Sequence, residues 1–180
     1  MNERHYLHRT DQLFDQIKRG AFLTVRAGDA VNTMTIGWAT IGWIWQKPIL
    51  MVAVRDSRHT FTLLEKTDNF TVTVPTGSKS AKALALCGTK SGRDIDKFAA
   101  CELTAVPGEL VEAPLIDECY ASLECRIADG GWVNKYNFFV LEVVKAWVDP
   151  SCKDPRTLHH RGNGAFMVAG ETIKLRSAMK

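Results

Sequence analysis

The chain divides itself into many short β-prone segments with no regular helix between them, and this pattern leaves few folds open to it. Pro48 opens Ile49-Leu50-Met51-Val52-Ala53-Val54, a continuous apolar run that fits a strand buried on both faces. Phe70-Thr71-Val72-Thr73-Val74 alternates as a half-buried strand does. Ala21 to Arg26, Val31 to Thr40, Cys101 to Val106, Cys119 to Ile127 and Asn137 to Val148 read as further strands, with turns at Gly28-Asp29 and Asp68-Asn69. The last of them is long enough to bend or change sheet. Short helices fit between. One starts at Thr10-Asp11, carries Leu13, Phe14 and Ile17, and stops at Gly20. A second, capped by Asp56 or Ser57, carries Phe61, Leu64 and Lys66, and a third spans Ser78 to Leu86. Six or seven strands without βαβ alternation argue for a barrel over a doubly wound sheet. With 180 residues the chain can bury a full core and reads as one domain over 1–180, with no internal repeat or linker.

Composition removes several function classes. The chain is 46% hydrophobic and 24% charged, and its net charge is only +3, so nothing points to nucleic acid. The N-terminus lacks a signal-like apolar stretch, and the longest apolar region, Ile36 to Val54, is broken by Gln46, Lys47 and Pro48. A cytoplasmic protein that binds no membrane is expected. The five cysteines, Cys87, Cys101, Cys119, Cys125 and Cys152, are odd in number and form no C-x-x-C pair. They read as buried small hydrophobes in a reducing compartment, with no disulfide framework. No metal site is expected, although His159 and His160 follow Cys152.

Familiar nucleotide and hydrolase motifs are missing. Gly162-Asn163-Gly164 lacks a third glycine, and Trp43-Ile44 follows Gly37 to Gly42 where a P-loop needs Lys-Ser/Thr. There is no G-x-S-x-G elbow.

Three polar segments remain. Gly88 to Phe98 holds two glycines, a serine, a threonine, Lys90, Arg93 and Lys97, a composition suited to a phosphate nest or equally to a solvated loop before a short helix. Arg55 to Thr60 passes from a buried strand into a helix; Ser57 and Thr60 add hydroxyls, and Arg55 and Arg58 add charge. Asn32 to Thr40 offers the polar groups of Asn32, Thr33 and Thr35 beside Met34 and Trp38; it also reads as a polar-facing strand with a core tryptophan.

In this order and spacing the three segments resemble the flavin reductase-like FMN-binding split-barrel family, in its flavoredoxin-like branch. The resemblance runs from about Gly20 to about Gly170. It is firmest at Ser91-Gly92-Arg93-Asp94 with Asp96-Lys97-Phe98, and Phe70 to Pro75 and Ala113-Pro114-Leu115-Ile116 support it. Two features depart from the family pattern: Lys47-Pro48 replaces a frequent Pro-Pro, and Trp43-Ile44-Trp45 is unusually aromatic.

The resemblance implies a mainly β fold with flanking helices, an FMN-binding split β-barrel, in a homodimer with flavin near the interface. It implies non-covalent FMN held by Asn32, Thr33, Met34, Thr35, Trp38, Arg55, Ser57, Arg58, Thr60, Lys90, Ser91, Arg93 and Lys97. Hydride would pass from NADH or NADPH to flavin with no protein acid or base taking part. His59 reads either as a capping-region histidine or as a group polarising a flavin oxygen. Two other roles stay open. One is an electron carrier docking to a redox protein through Trp38, Trp43 and Trp45. The other is a non-catalytic flavin- or haem-binding barrel, with His159-His160 as axial candidates.

Overall fold

Antiparallel pairing frames the molecule. The computed structural model describes residues 2–3, 20–75, 77–151, 158–162 and 165–168, with backbone alone at 2–3, 77–81, 158–162 and 165–168. The strands are β1 (Asn2–Glu3), β2 (Ala21–Ala27), β3 (Ala30–Ile36), β4 (Ala39–Ile44), β5 (Lys47–Ala53), β6 (Asn69–Pro75), β7 (Ala105–Val106), β8 (Leu115–Ile116), β9 (Cys119–Asp129), β10 (Phe138–Val148), β11 (Leu158–Gly162) and β12 (Ala165–Val168). The helices are α1 (His59–Leu64), α2 (Gly77–Thr89), α3 (Lys97–Cys101) and α4 (Val133–Tyr136). The main sheet runs β3-β2-β6-β9-β10-β5-β4, and β1 pairs with β10. β7–β8 and β11–β12 form two small ribbons.

The sheet curls around its own core. Seven flat strands would spread their edges about 29 Å apart at the usual strand spacing. Yet Ile36 on β3 and Ile41 on β4, the two ends of the strand order, belong to one buried cluster with Leu23, Leu50, Val72, Leu123 and Leu141. Phe61, Leu63 and Leu64 of α1 complete that cluster. A second, smaller cluster lies on the outer face, where Phe22 and Cys119 meet Ala83 and Cys87 of α2 and Ile116, with Phe98, Cys101 and Leu103 packed against it. β2 therefore buries both faces, Leu23 and Val25 inward and Phe22 outward.

Most expected elements are present, with four differences. Val31 to Thr40 is not one strand but β3 and β4, parted at Gly37-Trp38. β6 is buried on both faces rather than half-buried, because Thr71 turns outward to donate to the Pro114 carbonyl at 2.6 Å. Cys101 ends a helix, and only Ala105–Val106 of the expected Cys101 to Val106 strand is extended. Neither Asp56 nor Ser57 caps α1: its N-cap is Arg58, with no side-chain cap bond. The long strand β10 stays in one sheet and bends at bulges against β9 between Val140 and Leu141 and between Val143 and Lys145. The helix expected from Thr10, and Cys152, lie outside the described residues. Among the described residues no helix is long and apolar enough to cross a membrane.

Candidate functional site

A tight turn between α2 and α3 brings the three polar segments together. Lys90 N–H donates to the Leu86 carbonyl at 2.9 Å, so α2 takes in Gly88 and Thr89 before the chain turns. Asp94 and Ile95 N–H both donate to the Ser91 carbonyl, at 3.1 and 3.3 Å, and Arg93 N–H donates to Ser91 Oγ at 3.2 Å. Asp96 then caps α3, accepting from Phe98 and Ala99 N–H at 2.9 and 3.2 Å.

This turn is pressed onto β3. A Cβ on Gly92 would lie 2.0 Å from Asn32 Oδ1 and 3.2 Å from His59 Cδ2, so only glycine permits the approach. Asn32 is buried and donates from Nδ2 to Thr60 Oγ1 at 2.7 Å. Gly92, Asn32 and the start of α1 thus meet at one point.

A cleft of about 160 Å³ opens there. Of the expected site residues, Asn32, Met34, Thr35, Ser57, Arg58, Thr60, Lys90, Ser91, Arg93 and Lys97 line it. Three do not. Thr33 is fully buried in the sheet, accepting from Thr24 Oγ1 at 3.0 Å. Trp38 is 62% exposed, and the Arg55 guanidinium stands over its ring at 5.0 Å. His59, Cys87, Gly88, Thr89 and Gly92 also line the cleft. His59 and Gly92 lie in separate polar segments of the sequence, and nothing local signals that the two come close.

The cleft is cationic. Arg58, Lys90, Arg93 and Lys97 face it, and no carboxylate is among its described lining residues. Lys97 is buried and donates Nζ to the Cys87 carbonyl at 2.9 Å. Its pKa is lowered chiefly by burial; the Cys87 and Cys101 thiols partly offset this, and Arg58 adds to it. The His59 imidazole is held below its ordinary 6.5 by burial first and then by Arg93, Lys97 and Lys66. His59 Nδ1 is buried with no hydrogen-bond partner among the described residues. Four cationic side chains around one cleft with no described carboxylate give it a positive field, the electrostatic setting that favours an anionic ligand. Among the described residues no three His, Cys, Asp or Glu side chains group to hold a metal; His159 and His160 lie on β11, where only the backbone is described.

Comparison with known proteins bears on the fold that carries this cleft. A family model for the flavin reductase like domain matches residues 18–166. An uncharacterised protein of Archaeoglobus fulgidus is 32% identical over 133 residues, covering 74% of each chain. The flavoredoxin of Desulfovibrio vulgaris superposes with a TM-score of 0.76 at 24% identity, over 88% of this chain and 90% of that one. The NADH:FAD oxidoreductase SgcE6 of Streptomyces globisporus is 26% identical, with a TM-score of 0.60 over 73% of this chain and 76% of its own. The curled antiparallel sheet is therefore the split barrel of FMN-binding proteins.

Proposed function

The chain belongs to the flavin reductase-like family, and on that premise we propose that it is an FMN-dependent oxidoreductase whose cationic cleft takes the FMN phosphate. The carrying observation is the contact of Gly92 with Asn32 and His59, which joins three polar segments around Arg58, Lys90, Arg93 and Lys97 with no carboxylate among them. Bound FMN would supply the redox chemistry, taking hydride from NADH or NADPH and passing electrons on. The residues bind and orient. Arg58, Lys90 and Arg93 offer charge-assisted hydrogen bonds to phosphate oxygens, and Ser57 and Ser91 offer hydroxyls. Lys97, buried and tied to the Cys87 carbonyl, adds fixed positive charge from behind. Gly92 lets the turn close on Asn32, and Asn32 holds Thr60 in place. Met34, half-buried against the barrel core, is an apolar neighbour for the flavin rings. The proposal includes a homodimer.

The test is a titration of the reduced, full-length chain with FMN and riboflavin, followed by anaerobic mixing with NADH and NADPH. FMN should bind, and bound flavin should bleach with one of the two nucleotides. Lys90→Ala and Arg93→Ala should each weaken FMN roughly 10- to 150-fold, the range of a lost charge-assisted hydrogen bond. Riboflavin, lacking the phosphate, should change little. Equal losses for both flavins would sink the phosphate assignment.

One observation favours a second reading. Trp45 is 93% exposed and Trp43 is 51% exposed on neighbouring positions, the kind of aromatic surface that marks a partner site. Tight FMN binding without bleaching by either nucleotide would favour an electron carrier that docks to a redox protein.

A further inference from the structure

Beside the cleft, two thiols that stand 14 residues apart in sequence meet at a Sγ–Sγ distance of 3.7 Å. Cys87 lies on α2, lines the cleft and is 2% exposed. Cys101 ends α3 and is partly open to solvent. Both are free thiols. Between them, Lys97 sits one turn before Cys101, with its ammonium on the Cys87 carbonyl and its charge felt by both sulfurs. Cys125, by contrast, is sealed in the barrel core with its thiol on the Leu123 carbonyl.

We propose that Cys87 and Cys101 are a redox-active dithiol, which hydrogen peroxide oxidises to a disulfide that ties α2 to α3 beside the cleft. Cys101, the more exposed of the two residues, attacks one peroxide oxygen as the thiolate. The O–O bond breaks, the departing hydroxide takes a proton and leaves as water, and Cys101 becomes a sulfenic acid. Cys87 then attacks the Cys101 sulfur. The S–O bond breaks, and the hydroxyl leaves as a second water with the Cys87 proton. The two thiols lose two electrons, the peroxide gains them, and two thiols plus one peroxide give one disulfide and two waters.

The division of roles follows from burial, which pushes the Cys87 thiol up to about 12. Cys87 therefore waits as a protonated resolving group rather than as the first nucleophile. Closing 3.7 Å to a disulfide bond of about 2.05 Å needs only side-chain rotation and a small shift of α3. That shift carries Lys97 and pulls on the Ser91–Ile95 turn, which joins the two helices. The oxidised chain should therefore bind FMN more weakly, a consequence that rests on the flavin reading above.

The test treats the reduced full-length chain with hydrogen peroxide and maps its peptides. A loss of two hydrogens, a Cys87–Cys101 cross-linked peptide and reversal by dithiothreitol are expected. Cys87→Ser and Cys101→Ser should each abolish the cross-link, whereas Cys119→Ser should keep it. If the buried Cys87→Ser variant fails to fold, Cys101→Ser, at a partly exposed position, carries the test. FMN should bind at least about fivefold more weakly to the oxidised chain, the lower end of ordinary coupling between sites. Over-oxidation of Cys101 without a cross-link, or a cross-link surviving Cys101→Ser, would overturn the dithiol. Equal FMN affinity in both redox forms would overturn its link to the cleft. A chain that cross-links but binds FMN in neither state would support the dithiol and count against the flavin reading.

Discussion

A methyl group added at Gly92 would sit 2.0 Å from Asn32 Oδ1, far inside any non-bonded contact. Asn32 cannot swing away without giving up its bond to Thr60 Oγ1, and β3 holds its backbone. Gly92→Ala should therefore cost roughly 1–3 kcal/mol of stability, the scale of overpacking in a tight site. It should also weaken FMN, because the turn must lift off β3. Urea unfolding beside an FMN titration checks both, and an unchanged midpoint with unchanged affinity would contradict the close approach. At His59 the expectation concerns pH. Its folded pKa lies below the ordinary 6.5, so the unfolded chain binds more protons in that window. His59 therefore contributes stability to the flavin-free chain above pH 6.5 that is lost as pH falls from there through the folded pKa. His59→Gln should flatten this slope. A parallel slope in variant and wild type would assign it to other groups.

At the scale of elements, the β4–β5 hairpin has an unusual tip. Ile44 pairs with Lys47, leaving Trp45 and Gln46 as a two-residue loop with φ of 53° and 60°. Left-handed geometry at both positions is that of a type I′ turn, which ordinarily selects Asn-Gly. Side chains such as Trp and Gln cost about 1–2 kcal/mol each in that region. The doubly substituted Trp45→Asn, Gln46→Gly chain should accordingly be more stable as a monomer by about 1–3 kcal/mol, as read from thermal or urea unfolding at low concentration. A less stable variant would mean that Trp45 already packs within its own chain. A different device orders the loop after β7. Glu124, fully buried on β9, accepts from Glu109, Leu110 and Val111 N–H and from Trp147 Nε1, the last at 2.6 Å. A buried carboxylate in a strand looks like a defect in the sequence; in three dimensions it is the anchor for three consecutive amides. The helical start of segment 101–106, where a strand is expected, has a related cause. Its helix ends at Glu102 with φ 54° rather than at a glycine, so no stop signal marks it. Phe98, Cys101 and Leu103 make α3 worthwhile only by reaching the outer core cluster.

For the whole molecule, the open question is assembly. β4 is the last strand of the sheet, and with its hairpin it carries Trp43, Ile44 and Trp45, all well exposed. An edge strand with that much apolar surface invites a partner. Light scattering at micromolar concentration should give twice the chain mass. Trp45→Asn should shift the population toward monomer and lower FMN affinity if the interface helps to build the site. A wild-type monomer that binds FMN tightly would rule out an interface-built site.

The amino-acid sequence by itself determined the local periodicities: the apolar run after Pro48, the alternation at Phe70 to Val74, and the turn-and-cap chemistry from Ser91 to Asp96. These depend on neighbours within a few residues, so they are legible without a fold. It also held residue types suited to an anion in two segments, Arg55 to Thr60 and Gly88 to Phe98, and polar groups beside apolar ones in a third, Asn32 to Thr40. What only the tertiary structure decided is which of those residues share a cavity. The order β3-β2-β6 and the packing of α1 on β2 and β3 bring Asn32 to Thr60, 28 residues away, and the packing of α2 on β3 brings Gly92 against Asn32. The Arg55 guanidinium comes to rest on the Trp38 ring instead, and the pairing of β2 with β3 sets Thr33 against Thr24 inside the sheet. Packing of α2 against α3 brings the free thiols of Cys87 and Cys101 together, a contact that spacing along the chain does not signal. Long-range contact depends on strand order and helix docking, and residue spacing along the chain encodes neither.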